Sequence, residues 1–481
     1  MQFEAVIGLE VHAQLLTRSK IFCSCTTTFG SPPNTNTCPV CLGMPGVLPV
    51  LNRKSVECGL RLAVALGCEI RRRSIFARKN YFYPDLPKGY QISQFELPLA
   101  EHGRVEIEVD GRKKEIGITR IHLEEDAGKL IHSDTGDPFS YVDFNRSGIP
   151  LAEIVSEPDL RSPEEAHAYL VLLRSVLRYL GVCDGNMDEG SMRCDANISL
   201  RPRGEAAFGT RVELKNLNSF RFVKHGLAFE IRRQGQLLAD GGTVHQETRM
   251  FDPARGETII MRSKEDAHDY RYFPEPDLPP LLIEDSWIEK IRAEIPELPG
   301  PRKDRFVREY GLPNADAITL TEEKPLADYY EEVARASHHP KAAANWVLGE
   351  VLHLLKEKKL RIGELLFTSK DLAGMIGLLD IGTISGKIAK TVFEEMSRTG
   401  KPPGEIVREK NLVQITDEKA IVAAVEEAIR TNGKAVDQYL QGKQQALGFL
   451  VGQIMKGTRG KANPALANRL LRERLEELRK S

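Results

Sequence analysis

Apolar and polar residues alternate along the segment from Val6 to Leu15. Ile7, Leu9, Val11, Ala13 and Leu15 share one side of an extended chain, and Glu10 and His12 stand together on the other. The same period of two sets Cys194, Ala196, Ile198 and Leu200 opposite Arg193, Asp195, Asn197 and Ser199. In a third strand it puts Arg211, Glu213 and Lys215 on one face. Short runs of this kind, punctuated by Gly, Pro, Asn and Asp, continue to about residue 285 and predict a β-rich half. One helix interrupts them: Ser162 caps it, Pro163, Glu164 and Glu165 form its first turn, and Gly181 stops it. Its apolar stripe reads as core. The stretch AEIPELPGPRKD (293–304) reads as a linker, after which apolar residues recur at three and four, as in 326–333 and 342–356. A second break, RTGKPPGEIV (398–407), precedes a helical tail whose first cap is Thr416 or Asp417. The expected fold is α+β, with a β-rich domain over 1–290, a helical domain over 291–402 and a small all-α domain over 403–481.

Composition narrows the class. At about 150 residues per domain, 481 residues predict about three domains. A hydrophobic share of 41% and a charged share of 28% exclude disordered, coiled-coil and fibrous chains. No apolar run approaches the ~18 residues of a membrane span, and Met1-Gln2-Phe3-Glu4 begins no secretion signal, so a cytoplasmic protein without a membrane partner is expected. With 67 basic against 68 acidic residues, no global field draws the chain to nucleic acid. A local excess exists in residues 443–481, where nine Lys or Arg face three Glu. That surface is either an RNA grip or a merely solvated face.

Among the eight cysteines, Cys23, Cys25, Cys38 and Cys41 follow C-x-C-x12-C-x2-C. Without a secretion signal, such paired cysteines read as zinc ligands rather than disulfides, with free thiols as the alternative. Four thiolates leave no open position for a catalytic water, so the zinc would be structural. The other four cysteines are scattered and read as small buried hydrophobes.

Each polar strand face alone is most simply a solvated sheet surface. Several of them, together with the run His122-Leu123-Glu124-Glu125-Asp126, are different, because adjacent carboxylates repel unless a cation sits among them. Carboxylates with one imidazole suit magnesium or manganese, which also take substrate phosphates. His12 has the alternative of being a hydrogen-bonded core histidine. Alternation does not choose between Glu124 and Glu125; the place of Glu125 before the turn at Asp126-Ala127-Gly128 favours it. The loop from Arg78 to Tyr90 combines cations, aromatics and turn residues suited to a nucleotide or an RNA end, or else is a rigid surface loop. No Walker A or glycine-rich kinase signature occurs.

The strings GLEVH, NTNTCPVCLGMPGVLPVLN, FARKNYFYPDLPKGYQISQ, HLEEDAGK, VDFNRSGIPLAEIVSEPD, RCDANIS, VELKNLNSF, DYRYFPEPDLP and GFLVGQIMKGTRGKANP closely resemble the B-subunit family of the bacterial-type aspartyl/glutamyl-tRNA amidotransferases. The resemblance runs from about residue 4 to the end. It implies a β-rich cradle, a helical domain and a tail similar to free-standing YqeY-like proteins. It also implies a heterotrimer completed by an amidase and a small third polypeptide, and a non-discriminating aminoacyl-tRNA synthetase as a further partner. The B-type polypeptide would use ATP to phosphorylate the side-chain carboxylate of Glu-tRNA(Gln) or Asp-tRNA(Asn), and ammonia released by the amidase would arrive by an enclosed path and form the amide. Under that reading Glu10, His12, Glu125, Asp195 and Glu213 hold Mg2+, and Lys79, Lys88 and Lys215 neutralise phosphate charge. Arg459, Lys461 and Arg469 are the tail cations expected to meet tRNA. The rival reading is a non-catalytic, zinc-containing scaffold for tRNA.

Overall fold

A computed structural model describes residues 2–132, 139–263, 270–413, 418–458 and 461–480 of the chain. It comprises two compact units, Met1–Pro299 and Gly300–Ser481.

The first unit is built on a nine-stranded sheet. Its strands are β1 (Phe3–Gln14), β2 (Glu69–Ile70), β3 (Ala100–Val109), β4 (Arg112–Glu125), β5 (Pro150–Ser156), β6 (Met192–Pro202), β7 (Val212–Lys215), β8 (Glu247–Asp252) and β9 (Glu257–Ser263). They lie in the order β9-β8-β7-β6-β1-β5-β4-β3-β2, antiparallel except for the β7–β8 pair. The central position of β1 follows from its sequence: Ile7, Leu9, Val11 and Ala13 are all but inaccessible on the side covered by helices. Those helices are α1 (Arg53–Ala65), α2 (Pro163–Leu180) and α3 (Phe220–Ala239). In α2 the Ser162 side chain accepts the Glu165 amide at 3.1 Å, and Gly181 ends the helix at φ +64°, where only glycine is unstrained. Its Ala166, Leu170, Leu173 and Leu177 pack into the core, as the amphipathic stripe predicts. The opposite face of the sheet is left to polar side chains.

The stretch expected to be a linker is largely helical. Helix α4 (Asp285–Glu294) sends Ile288 and Ile291 into the core of the first unit, and α5 (Pro299–Tyr310) begins the second. Its prolines fall in the first turn, where their missing amide costs nothing. The second unit is all helical among its described residues and holds two separate apolar cores. One runs from Phe306 to Val407, the other from Ile421 to Leu475. The helix Pro403–Glu409 starts on a proline and contributes Ile406 and Val407 to the former, so the chain leaves that core later than the Pro402-Pro403-Gly404 signal suggested. The caps expected at Thr416 or Asp417 lie outside the described residues. Among the described residues no helix is long and apolar enough to cross a membrane.

Candidate active site

The register of the sheet assembles the polar face row by row. His12 stands opposite Arg193 of β6 on one side and Glu153 of β5 on the other, and Glu153 in turn stands opposite His122 of β4. One row along, Glu10 pairs with Asp195, and in the row beyond, Asn197 of β6 pairs with Glu213 of β7. Above this floor the short strand Ala77–Asn80 carries Lys79. The result is a cleft with two lobes of about 370 and 700 Å3 that share His12, Lys79, Asp195 and Lys215. These volumes suit a small-molecule or nucleotide ligand.

At the centre, one donor atom from each of His12, Glu124 and Glu153 lies within 4.8 Å of the others, the spacing of a metal-ligand set. His12 Nε2 is 3.3 Å from Glu153 and 3.9 Å from Glu124. His122 Nε2 is 3.3 Å from Glu153 and 3.6 Å from Glu124, while its Nδ1 is buried without a hydrogen-bond partner. Burial opposes charge on both imidazoles, but the carboxylates prevail. The hydrogen bond and charge of Glu153 raise His12, and His122 is pushed up to about 9. The same pairs hold Glu153 well below the usual carboxylate range, against its burial. Burial also opposes charge on Lys79, yet the Glu124 carboxylate keeps it an ammonium poised over the floor.

The structure separates the two glutamates that the sequence left adjacent. In β4 the residues Ile121, Leu123 and Glu125 share one parity and His122 and Glu124 the other, so Glu124 meets His12 and Glu125 does not. Glu125 is instead buried, ion-paired with Lys88, and accepts the Ile92 amide at 2.8 Å. Both line a different cavity, of about 150 Å3, beside Cys23 and Cys41. Glu125 and Lys88, predicted as metal ligand and phosphate cation, therefore lie outside the cleft.

Glu10, Asp195 and Glu213 do line the larger lobe, but an internal cation already stands between two of them. Lys215 Nζ is 2.7 Å from Asp195 and 3.1 Å from Glu213, and Asn197 donates to Glu10 at 2.8 Å. Burial works against the Lys215 charge and is outweighed by Asp195 and Glu213, which raise its pKa. Sequence reasoning missed Glu153 altogether. The available signal was a lone acid inside the apolar run Pro150-Leu151-Ala152-Glu153-Ile154-Val155. It also passed over Arg193, whose Nη2 is 2.9 Å from the buried Asp126 at the edge of the smaller lobe.

The sulfurs of Cys23, Cys25, Cys38 and Cys41 lie within 4.8 Å of one another, close enough to hold one metal ion. The buried Lys20 places its ammonium 3.6 Å from Cys41 Sγ and donates to the Phe144 carbonyl at 3.2 Å. Hydrogen bonding from Cys23 lowers the Cys41 thiol to about 4, and Lys20 pulls in the same direction. Cys58, Cys183 and Cys194 are buried, as small hydrophobes should be, whereas Cys68 is half-buried.

In the tail, Arg469 is exposed but shared with Glu418 at 3.2 Å and Glu473 at 3.6 Å. Lys461 is half-buried, and Arg459 lies outside the described residues. The local excess of cations is thus partly neutralised by acids of its own helices.

Comparison with known proteins shows the family. The profile described as the GatB/GatE catalytic domain matches residues 5–289, and the one described as the GatB domain matches residues 328–475. The aspartyl/glutamyl-tRNA(Asn/Gln) amidotransferase B subunit of Carboxydothermus hydrogenoformans is 58% identical over 479 residues, 99% of this chain and 100% of its own. Those of Thermodesulfovibrio yellowstonii and Desulfotalea psychrophila are each 56% identical over 477 residues, again across 99% of this chain and 100% of their own. A match of this length and identity, on a chain whose sheet carries the polar rows just described, shows that the protein belongs to the family of aspartyl/glutamyl-tRNA(Asn/Gln) amidotransferase B subunits.

Proposed function

We propose that this chain, in the cytoplasm and in a heterotrimer with an amidase and a small third polypeptide, uses ATP to activate the side-chain carboxylate of Glu-tRNA(Gln) or Asp-tRNA(Asn) for amidation. The observation that carries the reading is the His12, Glu124 and Glu153 set beneath Lys79 on the floor of an open cleft. A carboxylate does not accept ammonia directly, because oxide would have to leave. Transfer of the γ-phosphoryl group to a carboxylate oxygen releases ADP and makes an acyl phosphate. Ammonia then adds at the acyl carbon, and phosphate departs with that oxygen. Such transfer needs alignment and charge neutralisation more than covalent help.

His12, Glu124 and Glu153 fit a magnesium or manganese ion in donor type and spacing, and Lys79 would face the phosphates such an ion neutralises. Glu10, Asp195 and Glu213 surround Lys215, so Lys215 itself supplies positive charge in that part of the lobe. The four cysteines fit a closed structural zinc site, which would pin the loop between Cys23 and Cys41. The tail, with Lys461 and Arg469, is assigned to tRNA phosphates. A scaffold would have no use for a buried acid and imidazole floor under an open lobe.

The test is isotopic. Glu-tRNA(Gln) labelled with oxygen-18 in its side-chain carboxylate is turned over by the assembled complex with ATP and glutamine. One labelled oxygen should appear in the inorganic phosphate. Label-free phosphate accompanied by amide formation would exclude the acyl phosphate.

A further inference from the structure

The segment from Tyr270 to Tyr272 forms the side of the larger lobe, and its aromatic rings have no part in the chemistry above. Phe95 and Tyr272 stack face to face, with centroids 4.1 Å apart and planes 5° from parallel. Tyr270 meets Tyr272 edge-on at 6.1 Å, and Lys79 Nζ lies 4.9 Å from the Tyr270 ring centre. Phe95 is 47% exposed, so the outer face of the stack is open. That exposure sets the pair apart from Phe22 and Phe76, which meet inside the core.

The backbone is built to hold these rings. Arg271, between the two tyrosines, sits at φ +44°, a conformation that costs a non-glycine residue energy and persists only where neighbours fix it. Asn80 fixes it: its amide donates to the Tyr270 carbonyl at 2.9 Å and its side chain to the Arg271 carbonyl at 2.8 Å. On the other side Gln94, next to Phe95, is clamped between Ser74 at 2.6 Å and the Leu123 amide at 3.0 Å. The same lobe is lined by five carboxylates and by the cations Lys79, Arg120, Lys215 and Arg271; Lys215 is already held by Asp195 and Glu213, whereas Arg120 Nε is buried without a hydrogen-bond partner. A ligand that satisfies this wall is flat and aromatic at one end and anionic at the other.

We propose that the Phe95–Tyr272 pair is a stacking platform for an adenine ring, with Arg120 and Lys79 turned to the phosphates attached to it. The inference rests on the nucleotide-dependent reading above. Two ligands of that reaction carry an adenosine phosphate, ATP and the 3′ end of the tRNA, and the platform serves one of them. Stacking a base on an aromatic side chain changes affinity by about tenfold or more.

The experiment measures binding to the assembled complex of ATP, and of tRNA with and without its 3′-terminal adenosine. Wild type is compared with Phe95→Ala, Tyr272→Ala and the conservative Phe95→Tyr. Expected is an approximately tenfold rise in Kd for one ligand in both alanine variants, with Phe95→Tyr within twofold of wild type. A loss confined to ATP assigns the nucleotide, and a loss confined to tRNA that carries its terminal adenosine assigns the RNA end. The proposal is overturned if all variants bind both ligands within twofold of wild type, or if the alanine variants weaken tRNA equally with and without the terminal adenosine. Failure of the wild-type complex to bind ATP at all would instead count against the nucleotide-dependent reading itself.

Discussion

Two clusters of acids and bases in this chain use similar residues to opposite ends. In the helical unit, Glu331 accepts from Arg302 and Arg305 at 2.8 Å each, from the Tyr310 hydroxyl at 3.1 Å, and from Arg335. The carboxylate, 9% exposed, is walled in by its donors. On the sheet, by contrast, His12, His122, Glu124 and Glu153 share their charges unevenly and leave His122 Nδ1 unpartnered beneath a lobe of about 700 Å3. A knot enclosed by its own donors holds helices together, whereas one with open space above it is arranged for something that has yet to arrive. The comparison separates a stability role from a chemical one without appeal to residue type.

The largest expected effect comes from the open cluster. Glu124→Gln or His12→Ala should cut transamidation by about a hundredfold or more, because ordering a transferring phosphoryl group is worth several kcal/mol. Glutamine hydrolysis by the partner amidase should continue and Tm should change little. A large fall in Tm instead would make the sheet cluster a structural knot like the other. Next, Glu331→Gln would leave three guanidinium groups around a neutral amide and should destabilise the helical unit by about 3–5 kcal/mol, with turnover per folded complex unchanged. Denaturant unfolding followed by exchange of amides in residues 302–335 would measure it.

Cys38→Ser should lower bound metal and Tm together while the folded fraction keeps its turnover, as a closed structural site requires. Full thermal stability without metal would refute that. The pH response is smaller and has a definite sign. Burial raises the Glu331 carboxyl, but its arginine bonds win and bring it down from 4.5 to about 2. Its contribution to stability is therefore complete above about pH 4.5 and is lost as pH falls towards 2. Acid titration of Glu331→Gln should lack this phase. The smallest effect is expected from the tail, where Arg469→Gln with Lys461→Gln removes at most two phosphate contacts. The salt dependence of tRNA binding should flatten by less than about 0.9 per contact, because Arg469 is already shared with Glu418 and Glu473.

Much of this was legible in the chain. The parity of β1 and β6, the Ser162-to-Gly181 helix and the spacing of the four cysteines are local patterns, and each keeps its meaning in the fold. What escaped was non-local or misweighted. Glu153 belongs to the site only because β5 lies between β1 and β4, a pairing across more than a hundred residues that no local period announces. Glu124 was readable: Ile121 and Leu123 fix the core parity of β4, and Glu125 falls on it. The turn that follows Glu125 gave it no freedom, since Lys88 and the Ile92 amide hold it in place. Proline misled twice, at Pro299 and Pro403, where it starts a helix rather than a linker. The tail cations were counted only against the acids of 443–481, whereas Glu418 and Glu426 of the helix Glu418–Thr431 also meet Arg469 and Arg474.

The distinction between neighbours tests the account most directly. Phosphate release driven by misacylated tRNA is measured in the assembled complex for Glu124→Gln and Glu125→Gln, each normalised to folded protein. The account predicts that Glu124→Gln abolishes release, whereas Glu125→Gln, which breaks a buried ion pair away from the cleft, lowers stability and leaves the phosphoryl step of the folded fraction far less affected. Release by Glu124→Gln at the wild-type rate, with Glu125→Gln silent, would contradict it and return the chemistry to the Lys88 side of the strand.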